Sequence, residues 1–528
     1  MQPPKKQTKT KGQSSKSRLS SYIEELPVEI LSHIFRLTHQ TTLLEDTARR
    51  LASPGAVYRR IGKNDRGPQS PGVADLSFPL YTIAAVCRQW RDIVSSLPEF
   101  ATRVVLPIDR TDPTAKLDKI MEGLERANSL PLDILVFPKD TGARRKNDVD
   151  IEGTHTIQIM ECLAPIVPQC RSFVFKVKYS SSLPLISQQF RGRAPHLRVL
   201  KLVCEEDTDE DLPCVLPDDI PKDEEFVFPL LTTIHLDGYT FMDACNLPSW
   251  KAQLAKMSID TLTLSNFTAP MQDEEFDLAE FSSALADIGH IRHLTLSDYR
   301  VGFTEGDSNE GYNPLNVDSL TVENLEDIQF MTEFLTGVYA AKFCFYHLVN
   351  TNLSWESIPP VHHLRLERIP ELDYGFNHAF QRFFGSRLDV VDCEHFSDSH
   401  LDTIANFCEP LRRLYLIDCP GITAKGLKAM ITSRNKLVSK TASLGSDDDE
   451  EDGDGEEEEG IDSDAETIVR CTVSDDEGLE NLFEGPEKPP RGVAFRPIHR
   501  IHVQGHPKKL SKADRDWFMK IIRSFRWD

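Results

Sequence analysis

Two stretches near the start of the chain place apolar residues at helical spacing. Over Leu26 to Thr38, Ile30, Ile34 and Leu37 fall at i, i+4 and i+7, with Leu31 and Phe35 beside them. Over Pro79 to Leu97, Ile83, Val86, Trp90, Ile93 and Leu97 keep the same three-four rhythm. Pro27 and Pro79 stand where a first helical turn begins, a position that suits a fixed φ and a missing donor. Residues 40–78 between them lack this periodicity over most of their length and carry Pro54, Gly55, Gly62, Gly67, Pro68, Pro71 and Gly72, the composition of a loop. Two helices this short cannot bury their own apolar faces, so either the rest of the chain or another protein must cover them.

Further along, the pattern changes. Arg103 to Leu106 and Leu132 to Phe137 read as short strands, with an amphipathic helix predicted between them over Thr114 to Ala127. Arg144 to Asp150 is polar and turn-like. A repeat then begins, in the form apolar, two residues, apolar, one residue, apolar. It occurs at Cys170/Phe173/Phe175, Leu197/Leu200/Leu202, Leu231/Ile234/Leu236, Ile259/Leu262/Leu264, Ile291/Leu294/Leu296 and Val317/Leu320/Val322. It continues at Phe343/Tyr346/Leu348, Val361/Leu364/Leu366, Leu388/Val391/Cys393, Leu411/Leu414/Leu416 and Ile498/Ile501/Val503. Successive copies start 18 to 34 residues apart, except for a last gap of 87. A unit of this kind supplies one short strand and a returning connection, and only stacked neighbours can bury its inward residues. Leu401, Ile404 and Ala405, and Leu427 with Met430, are spaced as the apolar faces of return helices. Ser511 to Asp514 reads as an N-cap before Trp517, Ile521 and Ile522, which predicts a terminal helix closing the last repeat.

Charge sharpens this division. The net charge is -23, yet residues 441–486 hold 19 acidic residues against Arg470 alone. The rest of the chain is only mildly acidic. With no basic stripe interleaved with aromatics, general nucleic-acid binding is disfavoured. Residues 441–490 have too little apolar mass to fold, so they are expected to form a disordered acidic insertion that leaves the repeats and returns for the strand at Ile498. Residues 1–19 read as a disordered basic tail; the Lys5 to Lys16 cluster is either solvated or a weak nuclear-import signal. Eleven scattered cysteines without a CxxC pair argue for reduced thiols. No stretch suits a membrane span or a secretory signal, which implies cytoplasm or nucleus and no membrane partner.

The two helices carry a recognisable motif. Leu26-Pro27-Val28-Glu29-Ile30-Leu31-Ser32-His33-Ile34-Phe35, followed by Val86-Cys87-Arg88-Gln89-Trp90-Arg91, resembles the F-box. Leu411 to Met430, with Cys419, Ile422, Thr423, Gly426 and Leu427, resembles the cysteine-containing leucine-rich repeat, and Cys393 to Ile404 is a looser copy. The resemblance implies an α+β chain: a small all-α F-box-like helical unit over 20–102 with an inserted loop at 40–78, followed by an α/β leucine-rich-repeat solenoid. Residues 103–169 would link or cap that solenoid, 170–440 would form the repeats, and 491–528 the last strand and a C-terminal capping helix. Proteins of this family are substrate receptors of cullin-RING ubiquitin ligases. The resemblance implies a Skp-type adaptor, and through it a cullin, held by Leu26, Pro27, Ile30, Leu31, Ile34, Phe35, Val86, Cys87 and Trp90. Each of these residues is either an adaptor contact or part of the internal core of the helical unit. The long loop departs from a compact F-box.

No phosphate-binding loop, metal-ligand spacing or nucleophile motif is present, so no catalytic, cofactor or metal residue is expected. His362 and His363 read as structural. Outward strand positions, Lys201, His235, Thr263, Thr295, Thr321, His347, Arg365, Asp392, Tyr415 and His502, are expected to form one row on a concave face, with His235, His347, Arg365, Asp392 and Tyr415 as substrate-facing candidates. Ser446, Ser463 and Ser474 each precede an acidic residue by three, so acid-directed kinases would accept them; they serve equally well as unmodified loop residues. Two rivals to the ligase receptor stand: a repeat scaffold whose helices pack on itself, and a receptor that binds a small ligand.

Overall fold

The computed structural model describes residues 26–38, 83–108, 130–138, 148–206, 226–268, 278–300, 315–325, 345–352, 361–370, 383–444 and 495–528, with a few positions between them. The inserted loop at 40–78, the basic tail, most of the helix predicted over Thr114 to Ala127, and Ser446, Ser463 and Ser474 lie outside the described residues. The chain divides into two compact units, Met1–Gln253 and Leu254–Asp528.

In the first unit, helix α1 covers residues 28–38 and α2 covers Arg88–Ser96. Strands β1 (Arg103–Ile108), β2 (Leu132–Pro138), β3 (Cys170–Tyr179), β5 (Val199–Glu206) and β7 (Thr233–Asp237) then pair in that order, all parallel. A small second sheet joins β4 (Gly192–Arg193) to β6 (Phe226–Val227). The strands predicted near 103 and 132 thus belong to the same ladder as the repeat strands. Helix α3 (Asp148–Leu163) occupies the region next to the predicted turn and carries a fully buried carboxylate, Glu152. It accepts hydrogen bonds from the backbone N–H groups of Lys178 and Tyr179, at 2.8 and 3.0 Å. The core runs through a chain of rings, Phe173, Phe190, Phe226, Phe228 and Trp250.

The second unit holds β8 (Ser258–Thr268), β9 (His290–Arg300), β10 (Val317–Glu323), β11 (Phe345–Val349), β12 (His363–Glu367), β13 (Arg387–Val391), β14 (Arg413–Ile417), β15 (Arg500–Gln504) and β16 (Ser524–Trp527). Each pairs in parallel with the next. Consecutive parallel strands need long crossovers, and on one side these include α4 (Asp398–Phe407) and α5 (Ala424–Leu444), which pack together. Inward residues such as Leu294, Leu320, Tyr346, Leu364, Leu388, Leu414 and Ile501 are buried and aligned in register.

Two features recur at fixed places. Two residues after the last inward residue of each strand comes a left-handed backbone position, at Asn266, Asp298, Asn324, Asn350, Arg368, Asp392, Asp418 and Gly505. Asn and Asp tolerate that conformation better than most side-chain-bearing residues, and Asn324 donates to Asp298 while Asn350 donates to Asn324. One residue further on, Thr351, Cys393 and Cys419 make the same pair of bonds. Thr351 Oγ1 donates to the carbonyls of Val349 and Val322, and the two thiols do the same to Val391 and Leu366, and to Ile417 and Val390.

Three expectations need correction. The repeat copy at Leu388/Val391/Cys393 is out of step by three residues: register aligns Leu388 with Leu364 and Val390 with Leu366, so the copy is Gly385/Leu388/Val390. A glycine stands at the first position because a Cβ there would meet the Phe383 ring and the Val361 carbonyl. Asp392 is therefore not an outward strand residue; it occupies the left-handed turn, and Asp389 is the outward neighbour. At the C-terminus the predicted helix exists as α6 (Lys512–Ile521), capped by Ser511 Oγ, but it leads into β16, which pairs with β15 and ends the ladder.

Candidate functional site

The helical pair is built around Leu31, Phe35, Ile93 and Phe100, with Leu26, Ile83, Trp90, Val94 and Leu97 packed against them. The Phe35 and Trp90 rings meet edge to face at 4.9 Å. Helix α2 does not run on from Pro79 as its periodicity implies. It starts at Arg88, because Cys87 is extended and caps it, its Sγ accepting from the Trp90 N–H at 3.5 Å. Residues 83–86 form a separate short helical segment.

This geometry separates the candidate adaptor contacts into two sets. Leu31 and Phe35 are 1% exposed and lie in the internal core, the second of the two alternatives open for each. Leu26, Cys87 and Trp90 are half-buried. Ile30, Ile34 and Val86 are 49%, 43% and 59% exposed, and Val28 and Pro27 are exposed as well. Ile30 and Ile34, four residues apart, share one side of α1, and Leu37 is also exposed there. Apolar side chains grouped on one helix face in this way mark an interaction surface.

The second candidate region is the outward face of the second unit's strands. The expected row assembles in register as Thr263, Thr295, Thr321, His347, Arg365, Asp389, Tyr415 and His502, continued by Arg526. Lys201 and His235 pair likewise in the first unit. The side chains in this row are linked to one another. Arg365 and His347 both reach Glu367, at 2.7 and 3.3 Å. Burial opposes ionisation of Glu367, but hydrogen bonds from His347 and Arg365 outweigh it and lower its pKa to about 2. Burial lowers the pKa of His347, partly offset by Glu367. Arg387 grips Asp389 with two bonds of 2.9 and 3.0 Å, and His363 Nε2 lies 3.1 Å from the same carboxylate. These partners overcome burial and hold Asp389 below the usual carboxylate range. The Arg387 guanidinium lies 4.6 Å over the Tyr415 ring, and Arg500 donates to the Tyr415 hydroxyl at 3.4 Å. His235 is set apart: burial, then the charges of Lys201 and Lys176, push its pKa down to about 3. It is a neutral, half-buried group and a poor anion contact.

Asp389, Arg387 and Arg413 are members of this face that the repeat pattern missed. The Asn/Asp residue two positions beyond each last inward residue would have fixed the register and revealed them. Among the described residues, no group of three His, Cys, Asp or Glu side chains is arranged to hold a metal ion. No described helix is long and apolar enough to cross a membrane. The sequence matches no protein-family model and no curated protein.

Proposed function

We propose that the chain is a substrate receptor of a cullin-RING ubiquitin ligase, with an F-box-like helical unit that binds a Skp-type adaptor and a leucine-rich-repeat solenoid that holds the protein substrate. The observation that carries the reading is the division of labour within α1. Leu31 and Phe35 fill the internal core, while Ile30 and Ile34, in the stretch that resembles the F-box, stay exposed, as does Val86. A helix serving only its own chain has no need of a second apolar face. The recurring turn residues and the repeated bonding of Thr351, Cys393 and Cys419 support the repeat reading of the second unit. On this reading the chain performs no chemistry itself and positions a protein for modification by others, in cytoplasm or nucleus.

The test is capture of a purified Skp-type adaptor by the full chain. Ile30→Asp with Ile34→Asp changes exposed positions only, so the protein stays folded while adaptor binding falls by about hundredfold or more, as expected for two central apolar anchors. Absence of adaptor binding by the unaltered chain, or binding indifferent to the double change, leaves the scaffold reading in its place.

A further inference from the structure

Charge on the outward face of β12 to β16 is sorted along the strands. Near their N-terminal ends, Arg387, Arg413 and Arg500 stand directly opposite one another on β13, β14 and β15, in line with His363 on β12. Arg412 and His499 precede two of these, and Arg523 precedes β16. The C-terminal ends of the second unit's strands are mostly acidic, with Asp298, Glu323, Glu367, Asp392, Glu394 and Asp418, and the base Arg368 among them. There, burial and then Asp298 raise the Glu323 pKa, and burial and then Asp418 raise that of Asp392.

Like charges opposite each other on neighbouring strands, about 5 Å apart, repel and cost stability. Arg387 is relieved by Asp389 and by the Tyr415 ring. Among the described residues, the Arg500 side chain donates to the Tyr415 hydroxyl and pairs with no carboxylate. Arg413 is exposed, and no carboxylate among the described residues pairs with it. Two guanidinium groups, with Arg523 nearby, therefore keep most of their donors turned outward, in a chain whose overall charge is negative.

We propose that this arginine row binds a carboxylate-rich segment of a second protein, laid across the strands from β13 to β16. Guanidinium groups pair with carboxylates through two parallel bonds. The acidic strand ends repel such a segment and keep it on the row instead of along the strands. A nucleic acid fits less well: three arginines over two strand spacings, roughly 10 Å, neutralise few phosphates, and the acidic margin faces the rest of the backbone. That the segment belongs to the ligase substrate rests on the function proposed above; the binding face itself does not.

The experiment titrates a fluorescein-labelled peptide rich in Glu and Ser into the full chain and follows anisotropy at low and at physiological salt. Binding is expected, weaker at higher salt. Arg413→Glu with Arg500→Glu is expected to reduce affinity by about hundredfold, while Lys425→Glu with Lys436→Glu, an equal charge change at exposed positions of α5, leaves it unaltered. Adaptor capture, measured on the same proteins, reports the helical unit separately, so the two readings fail independently. Equal peptide binding by wild type and the double-arginine variant overturns the proposal. So does tight binding of a single-stranded oligonucleotide through the same arginines. Binding that emerges only when the acidic residues from Asp447 to Glu459 become Asn and Gln also overturns it, assigning the row to the chain's own acidic stretch.

Discussion

Replacing Arg434 by Met removes the one described guanidinium that is fully buried, at 1% exposure. Its Nε donates to the Arg496 carbonyl at 2.9 Å, and its Nη2 donates to Glu409 and Leu411 at 2.7 and 3.1 Å. A longer contact of 3.4 Å joins Nη1 to Ile404. Arg434 thereby ties α5 both to the loop before β14 and to the segment that leads into β15. Three well-formed bonds from a charged donor contribute about 1.5–2 kcal/mol each. Against this stands the burial of the charge, which lowers the Arg434 pKa to about 10 and costs roughly 3 kcal/mol. The net loss for Arg434→Met is about 1.5–3 kcal/mol. Arg434→Lys separates the contributions, because the charge stays buried while the fork that reaches three carbonyls is gone; it is expected to be worse than Met. Urea unfolding followed through Trp517 and Trp527, with amide exchange over Ile498–Gln504, measures the order. A lysine variant as stable as wild type, or a methionine variant within about 0.5 kcal/mol of it, refutes the reasoning.

Three further outcomes follow from the same geometry. The His235 pKa is lower in the folded chain than in the unfolded one, so its contribution is complete above pH 6.5 and is lost as pH falls toward about 3. Lowering the pH from 7 to 5 should take about 2 kcal/mol of stability from wild type that His235→Gln does not lose, read by urea unfolding at both pH values. Gly385→Ala should destabilise the second unit by about 2 kcal/mol through overpacking against Phe383 and the Val361 carbonyl, read as a lower unfolding midpoint. In the native chain at neutral pH, a maleimide mapped by mass spectrometry should label half-buried Cys87 and Cys162 before buried Cys393 and Cys419, whose pKa values burial raises to about 11 and 12.

The strand ladder was largely legible in the sequence because an inward residue must be apolar wherever a parallel strand is buried. The pattern slipped at one place for a local reason. Gly385 lacks the expected side chain, so Val391 and Cys393 completed a false copy. β16 escaped notice because Ser524-Phe525-Arg526-Trp527 offers one short polar-apolar alternation, and only pairing with β15 makes it a strand. On α1, periodicity supplied five apolar residues but no means of telling which face turns inward. That choice depends on Ile93 and Phe100, distant in sequence, and it places Leu31 and Phe35 inside and Ile30 and Ile34 outside. Cys87 as a helix cap was equally invisible, since a thiol accepting from a backbone N–H leaves no pattern.

Among the described residues, several contacts hold the chain where it returns at β15. Arg434 holds the Arg496 carbonyl, Lys428 pairs with Asp514, His506 donates to the Ile422 carbonyl at 2.9 Å, and β15 lies in register on β14. The entropy of closing a loop over residues 445–494 varies slowly with its length. Two separately expressed polypeptides, 1–444 and 495–528, therefore carry matching halves of one joint and are expected to co-elute on size-exclusion chromatography.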